Sequence, residues 1–183
     1  MFFESRPVAE ATTKGPDLLQ LMLDGTHQVT PLVQSQFEKR NGIISRDGRW
    51  LAYESNSSGA TEIYVRPFPN VDGGQWQVST AGGNMPLWAR SGKELFYFDA
   101  DGALLRVPVE ASGATWHAGT PTKLLERGYY APSGYVGRTY DVSPDGQRFL
   151  MIKAPTIDAN AAPPALIVVQ HWGEELKRLV PTK

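Results

Sequence analysis

A short hairpin signature occurs three times in this chain. Each copy is a polar turn closed by glycine and followed at once by an apolar run: SRDGRWLAYESNSSGATEIYVRPFP from position 45, LWARSGKELFYFDADGALLRVPV from position 87, and YDVSPDGQRFLMIKA from position 140. Aligned on Gly48, Gly92 and Gly146, the copies are spaced by 44 and then 54 residues, the length at which a repeat builds one four-stranded propeller blade. Glycine suits the turn because it takes a positive φ, and aspartate suits it because its side chain bonds nearby amides. Asp47-Gly48 and Asp145-Gly146 keep both residues, whereas Ser91-Gly92 keeps the glycine and puts a weaker capping hydroxyl before it.

The runs after these turns, LAY, LFYF and FLMI, are apolar at consecutive positions. That is expected of strands in a sheet covered on both faces, whereas a one-sided sheet alternates and a helix spaces its apolar residues three and four apart. A propeller blade is covered in this way by its two neighbours. The expected fold is therefore all-β: one β-propeller domain over 1–183, made of blades of four antiparallel strands near 1–33, 42–80, 85–126 and 139–181. Three blades are complete and the first is partial, with its innermost strand and turn missing. Within the partial blade, strands are expected at 2–4, 18–23 and 27–32; a helix competes for 17–23, because leucine and methionine favour one. A polar crossing is expected over 34–41, an outer strand at 76–78, an edge position for Pro86, and an outer strand at 124–125. Propellers close with four to eight blades, so the chain makes a small four-bladed ring, belongs to a longer protein, or is a half-propeller that a second copy completes. An uncovered terminal blade leaves an apolar face in water, which favours a homo-oligomer, in the simplest case a dimer.

These segments, together with the ending HWGEELKRLVP, resemble the TolB-like, WD-repeat-like propeller found at the C-terminal end of many bacterial membrane-anchored serine/threonine protein kinases. The match runs from about Phe2 to Pro181 and departs from the family pattern at Arg46, where proline is usual, and at Ser91, in place of the turn aspartate. The resemblance implies a sensor-like binding module, and an extracytoplasmic location downstream of a membrane segment. No kinase glycine loop, catalytic-loop aspartate or metal-binding aspartate motif occurs in this chain.

The 18 basic and 19 acidic side chains nearly cancel, so no overall field draws the chain to nucleic acid or to an anionic membrane. There is no cysteine, which excludes disulfides, thiolate metal sites and a cysteine nucleophile. The N-terminal residues lack the pattern of an export signal, and no apolar run reaches the roughly 18 residues of a membrane span. No cofactor and no membrane insertion by this chain are expected.

Two groups of residues are candidates for binding. Tyr129, Tyr130 and Tyr135 lie in a glycine-rich loop and supply rigid amphipathic contact area, although packing of a seam between blades explains them as well. Arg66, Arg90, Arg106 and Arg138 lie near strand ends, where guanidinium groups could line a channel for anionic groups or simply solvate a surface. Asp99, Asp101 and Glu110 have part of the spacing of a calcium loop, but Leu104 and Ala103 stand where such a loop needs glycine and an oxygen ligand, so a hairpin turn is expected. His27, His117 and His171 lack metal-ligand spacing, and no Gly-x-Ser-x-Gly elbow is present. No catalytic residue is assigned. The expected function is non-enzymatic recognition of a protein, peptide or small ligand. The alternatives are a propeller that forms part of a prolyl-oligopeptidase-like hydrolase or esterase, and a truncated reading frame without a function of its own.

Overall fold

The computed structural model describes residues 2–5, 15–132 and 137–153, and for 2–5 the backbone alone. Four antiparallel sheets account for them. The first has the order β1 (Phe2–Ser5), β2 (Asp17–Leu21), β3 (Val29–Val33). The second is a meander of β4 (Lys39–Ile44), β5 (Trp50–Ser55), β6 (Glu62–Pro67) and β7 (Trp76–Gln77). The third contains β8 (Asn84–Trp88), β9 (Glu94–Phe98), β10 (Leu104–Ser112), β11 (Thr115–Ala118) and β12 (Thr122–Leu125). The fourth is the hairpin of β13 (Tyr140–Val142) and β14 (Phe149–Met151). Residues 17–21, for which a helix competed, form a strand; the part of the expected fourth blade from 154 to 181 lies outside the described residues.

Three apolar seams hold the sheets face to face. Leu18 and Val33 of the first sheet pack against Leu51, Tyr53 and Tyr64 of the second. Trp50, Ala52, Ile63 and Val65 leave the opposite face of that second sheet and meet Trp88, Leu95, Tyr97, Val107 and Trp116 of the third. Phe96, Phe98, Leu87 and Leu104 then meet Tyr140, Phe149 and Met151 of the fourth. The consecutive apolar runs are thereby explained: in β5 and β9, alternate side chains enter different seams, and all six residues of β5 are buried. Each large side chain buried in this way stabilises the stack by about 1.5–3 kcal/mol. The described residues form an open stack and do not close a ring.

The first strands of the second and third sheets lie side by side, β4 against β8, and β1 and β2 of the first sheet both lie against β4. Tyr140 of β13 extends the row by donating its hydroxyl to Met85 O of β8 at 2.8 Å. Both β4 and β8 are irregular at the same repeat position, seven residues before the turn glycine. Asn41 has φ 50° and Met85 has φ 54°, each within a register shift. Asparagine tolerates this left-handed conformation; methionine adopts it rarely. Glu54 holds both, accepting from Asn41 Nδ2 and from Met85 N at 2.6 Å each.

Two expectations are corrected. The crossing read as 34–41 ends at Glu38, and Lys39, Arg40 and Asn41 belong to β4. Lys39 and Arg40 are only 2% and 9% exposed. Lys39 Nζ reaches Asp17 Oδ1 and Ser35 O at 3.1 Å and Phe37 O at 2.5 Å, and Arg40 Nε lies 3.5 Å from Glu54 Oε2. Charged residues that read as a solvated loop are buried because each has a partner, which is what burial of a charge requires. The third sheet, read as four strands, has a fifth: β10 continues past β9 and turns at Gly113 into β11.

Leu95 is fully buried in the seam between the second and third sheets. Leu95→Ala is expected to cost about 2–5 kcal/mol by chemical denaturation, while Arg46→Gln, on an exposed turn, is expected to stay within about 0.5 kcal/mol of wild type.

Candidate functional site

The glycine turns of three sheets share one geometry. Gly48, Gly92 and Gly146 have φ of 71°, 70° and 71°. In the first copy Gly48 N donates to Ser45 O at 2.9 Å, Ser45 Oγ donates to Asp47 Oδ1 at 2.6 Å, and Trp50 N donates back to Ser45 Oγ at 3.0 Å. The third copy repeats this around Ser143, Asp145 and Arg148. The middle copy keeps the backbone bond from Gly92 N to Ala89 O at 2.9 Å, but Ala89 removes the central hydroxyl; Ser91 Oγ takes the aspartate's place in accepting from Lys93 N at 3.2 Å.

What differs among the copies is charge. Arg46 and Arg90 stand two residues before their glycines, and Arg49 and Lys93 stand one after; the third turn has Pro144 and Gln147 at these positions. The first two turns flank an open cleft of about 780 Å³, whose far wall is Val109, Glu110 and Ala111 of β10. Four cations therefore face two carboxylates, in a chain of net charge −1. Arg49 is engaged, donating to Gly113 O with its guanidinium 5.7 Å from the Trp50 ring centroid. Arg46, Arg90 and Lys93 are exposed, and their side chains have no hydrogen-bond or ion-pair partner among the described residues. Arg46 and Arg90 also rim a smaller groove of about 200 Å³, where Ile43, Trp88 and Val142 of the first strands converge with Asp141.

The structure separates the residues chosen from sequence. Arg90 lies in the cleft. Arg66 is structural: Nε donates to the Tyr53 hydroxyl at 2.9 Å, Nη1 to Val71 O at 2.8 Å, and Nη2 to Gln75. Arg106 pairs with Glu94 at 3.3 Å. Arg138 donates to Tyr140 O at 3.2 Å. Tyr129 bridges to Lys153 through its backbone; Tyr130 N donates to Ile152 O at 2.8 Å, and its ring is partly exposed. Tyr135 and His171 lie outside the described residues. Asp99 Oδ1 accepts from Asp101 N and Ala103 N, as a hairpin turn requires, and no group of three metal-ligating side chains occurs among the described residues. His27 and His117 bond to no serine or carboxylate there.

Arg46 and Lys93 were missed because each, taken alone, is an ordinary turn residue. The available signal was the alignment of the copies, which puts a cation twice at each of two turn positions.

No family model matches the chain, and no curated protein matches it. Among solved structures it is similar to TolB from Acinetobacter baumannii, with 18% identity and a TM-score of 0.45, over 84% of this chain and 40% of that one. The chain thus spans about two fifths of the length of that structure.

The turn chemistry yields two expectations. The Ser143 hydroxyl first, and the Gln147 amide next, hold the Asp145 carboxyl below its ordinary 3.8. A depressed carboxylate contributes stability above its ordinary value and loses it as pH falls through the folded value, so this contribution is intact at neutral pH and is lost only below 3.8. Ser143→Ala is expected to move the Asp145 titration, followed by NMR, up toward 3.8. Restoring the missing groups of the middle turn with Ala89→Ser and Ser91→Asp is expected to stabilise the chain by about 1 kcal/mol in thermal unfolding.

Proposed function

We propose that the chain is a non-enzymatic, propeller-type binding module that recognises a protein, peptide or small ligand at the turn end of its sheets, in the manner of the sensor portion of a bacterial receptor-like kinase. The propeller reading is supported by doubly covered sheets and by the first strands β4 and β8 standing side by side, the arrangement blades take around an axis. The kinase-sensor context rests on the sequence resemblance alone.

One observation carries the binding reading: Arg46 and Arg90 occupy the same position of two successive turns, exposed and without partners, on either side of one cleft. A guanidinium offers fixed, planar donors suited to carboxylate and phosphate groups. The hairpins that carry the two arginines are anchored in buried sheets, so their backbone is organised before a ligand arrives.

Differential scanning fluorimetry against a panel of organic anions, acidic and basic peptides and neutral controls tests this. Anionic members are expected to raise the melting temperature of the wild-type chain, and the Arg46→Gln/Arg90→Gln variant is expected to lose that shift while keeping its own melting temperature. Shifts of equal size in the variant would move the site elsewhere.

A further inference from the structure

We propose that the end of β10, together with Arg46, Arg90 and Lys93, is a docking edge for an extended acidic peptide segment of a partner protein. This rests on the binding reading above and gives its ligand class.

The register of β10 leaves its edge without a strand partner at one residue, Ala111, between Val109, which bonds to Lys93, and Gly113, whose carbonyl accepts from Arg49. In an antiparallel pair, successive residues direct their N–H and C=O groups to opposite sides. Gly119 N donates to Pro108 O at 2.8 Å, and Ser112 faces Thr115 across the Gly113-Ala114 turn. Residues 108, 110 and 112 therefore point toward β11. Val109 N donates the other way, to Lys93 O at 2.8 Å. Ala111 has the same parity as Val109, so its N–H and C=O also point away from β11. On that side β9 has already ended: its first residue, Glu94, faces Pro108, and the chain before it turns through Ser91-Gly92. The Ala111 backbone donor and acceptor thus face the cleft with no strand partner among the described residues.

An unpaired strand edge accepts another extended chain, whose backbone supplies affinity while alternate side chains supply specificity. Charge decides which chain. Arg46, Arg49, Arg90 and Lys93 against Asp47 and Glu110 leave the lining with a net charge of +2, and Arg46, Arg90 and Lys93 have no hydrogen-bond or ion-pair partner among the described residues. A cleft of about 780 Å³ exceeds the needs of one small anion, and Val109 and Ala111 put apolar residues on its far wall. A strand with carboxylates on one face and small apolar side chains on the other fits both features.

The test is fluorescence anisotropy with a labelled (Glu-Val)₃ peptide, its (Gln-Val)₃ analogue, and two forms of the acidic peptide N-methylated on alternate backbone nitrogens in the two possible phases. The acidic peptide is expected to bind about tenfold or more tightly than the neutral one, and Arg46→Gln/Arg90→Gln to remove that advantage. Only one phase of methylation is expected to weaken binding, because only one row of amides faces β10. Equal binding of the neutral peptide, equal binding of both methylated forms and the parent, or displacement by citrate as effective as by unlabelled peptide would each overturn the proposal. If the methylated forms bind equally while the arginine variant still loses its thermal shifts, the docking edge falls and the binding reading stands. Circular dichroism of the variant confirms that it is folded.

Discussion

Strands β5 and β9 have no solvent face. Every other property of the fold follows from that condition, since a strand buried on both sides must divide its side chains between two seams and can vary little without opening one of them. Trp50 and Ala52 belong to one seam and Leu51 and Tyr53 to the other; Leu95 and Tyr97 divide from Phe96 and Phe98 in the same way. Polar chemistry is thereby displaced to the two ends of the sheets.

The two ends use charge differently. At one, charges are consumed internally: Asp17 with Lys39, Arg40 with Glu54, and Glu62 accepting from Ser79 and Gly82 N. These buried carboxylates connect one sheet to the next, since Glu54 bonds to Met85 N of the third sheet and Lys39 reaches back to Asp17 of the first. Such pairs contribute modest net stability once desolvation is counted, but removing one partner leaves an uncompensated charge and is costly. Their effect here is to fix how neighbouring sheets register. At the opposite end, the turns close by their own short-range bonds and leave arginine and lysine available.

The strands and turns were legible because their signals are local. Consecutive apolar residues and a glycine three positions after a serine or alanine require no knowledge of the rest of the chain. Lys39 and Arg40 were illegible as strand residues because their burial depends on Asp17 and Glu54, at sequence separations no pattern reveals. The internal bonds of Arg66 were illegible for the same reason: Tyr53 and Gln75, to which it donates, come from other segments. β11 was too short, and too polar beside Trp116, to register as a strand. Arg90 stood out as a strand-end arginine, but its counterpart Arg46 was read only as a departure from a turn consensus, because a single turn does not show that two of them stand across a cleft.

The three turns also bear on how such a chain can change over generations. Their closing bonds use the serine, the aspartate or its substitute, and the glycine, while the residue between serine and aspartate contributes only its side chain to the surroundings. Arginine, arginine and proline occupy that slot in successive copies without altering the glycine geometry. Duplication of a repeat therefore supplies, with each copy, one exchangeable surface position already aimed at a common rim. Selection can rewrite that rim residue by residue while the interior stays unchanged.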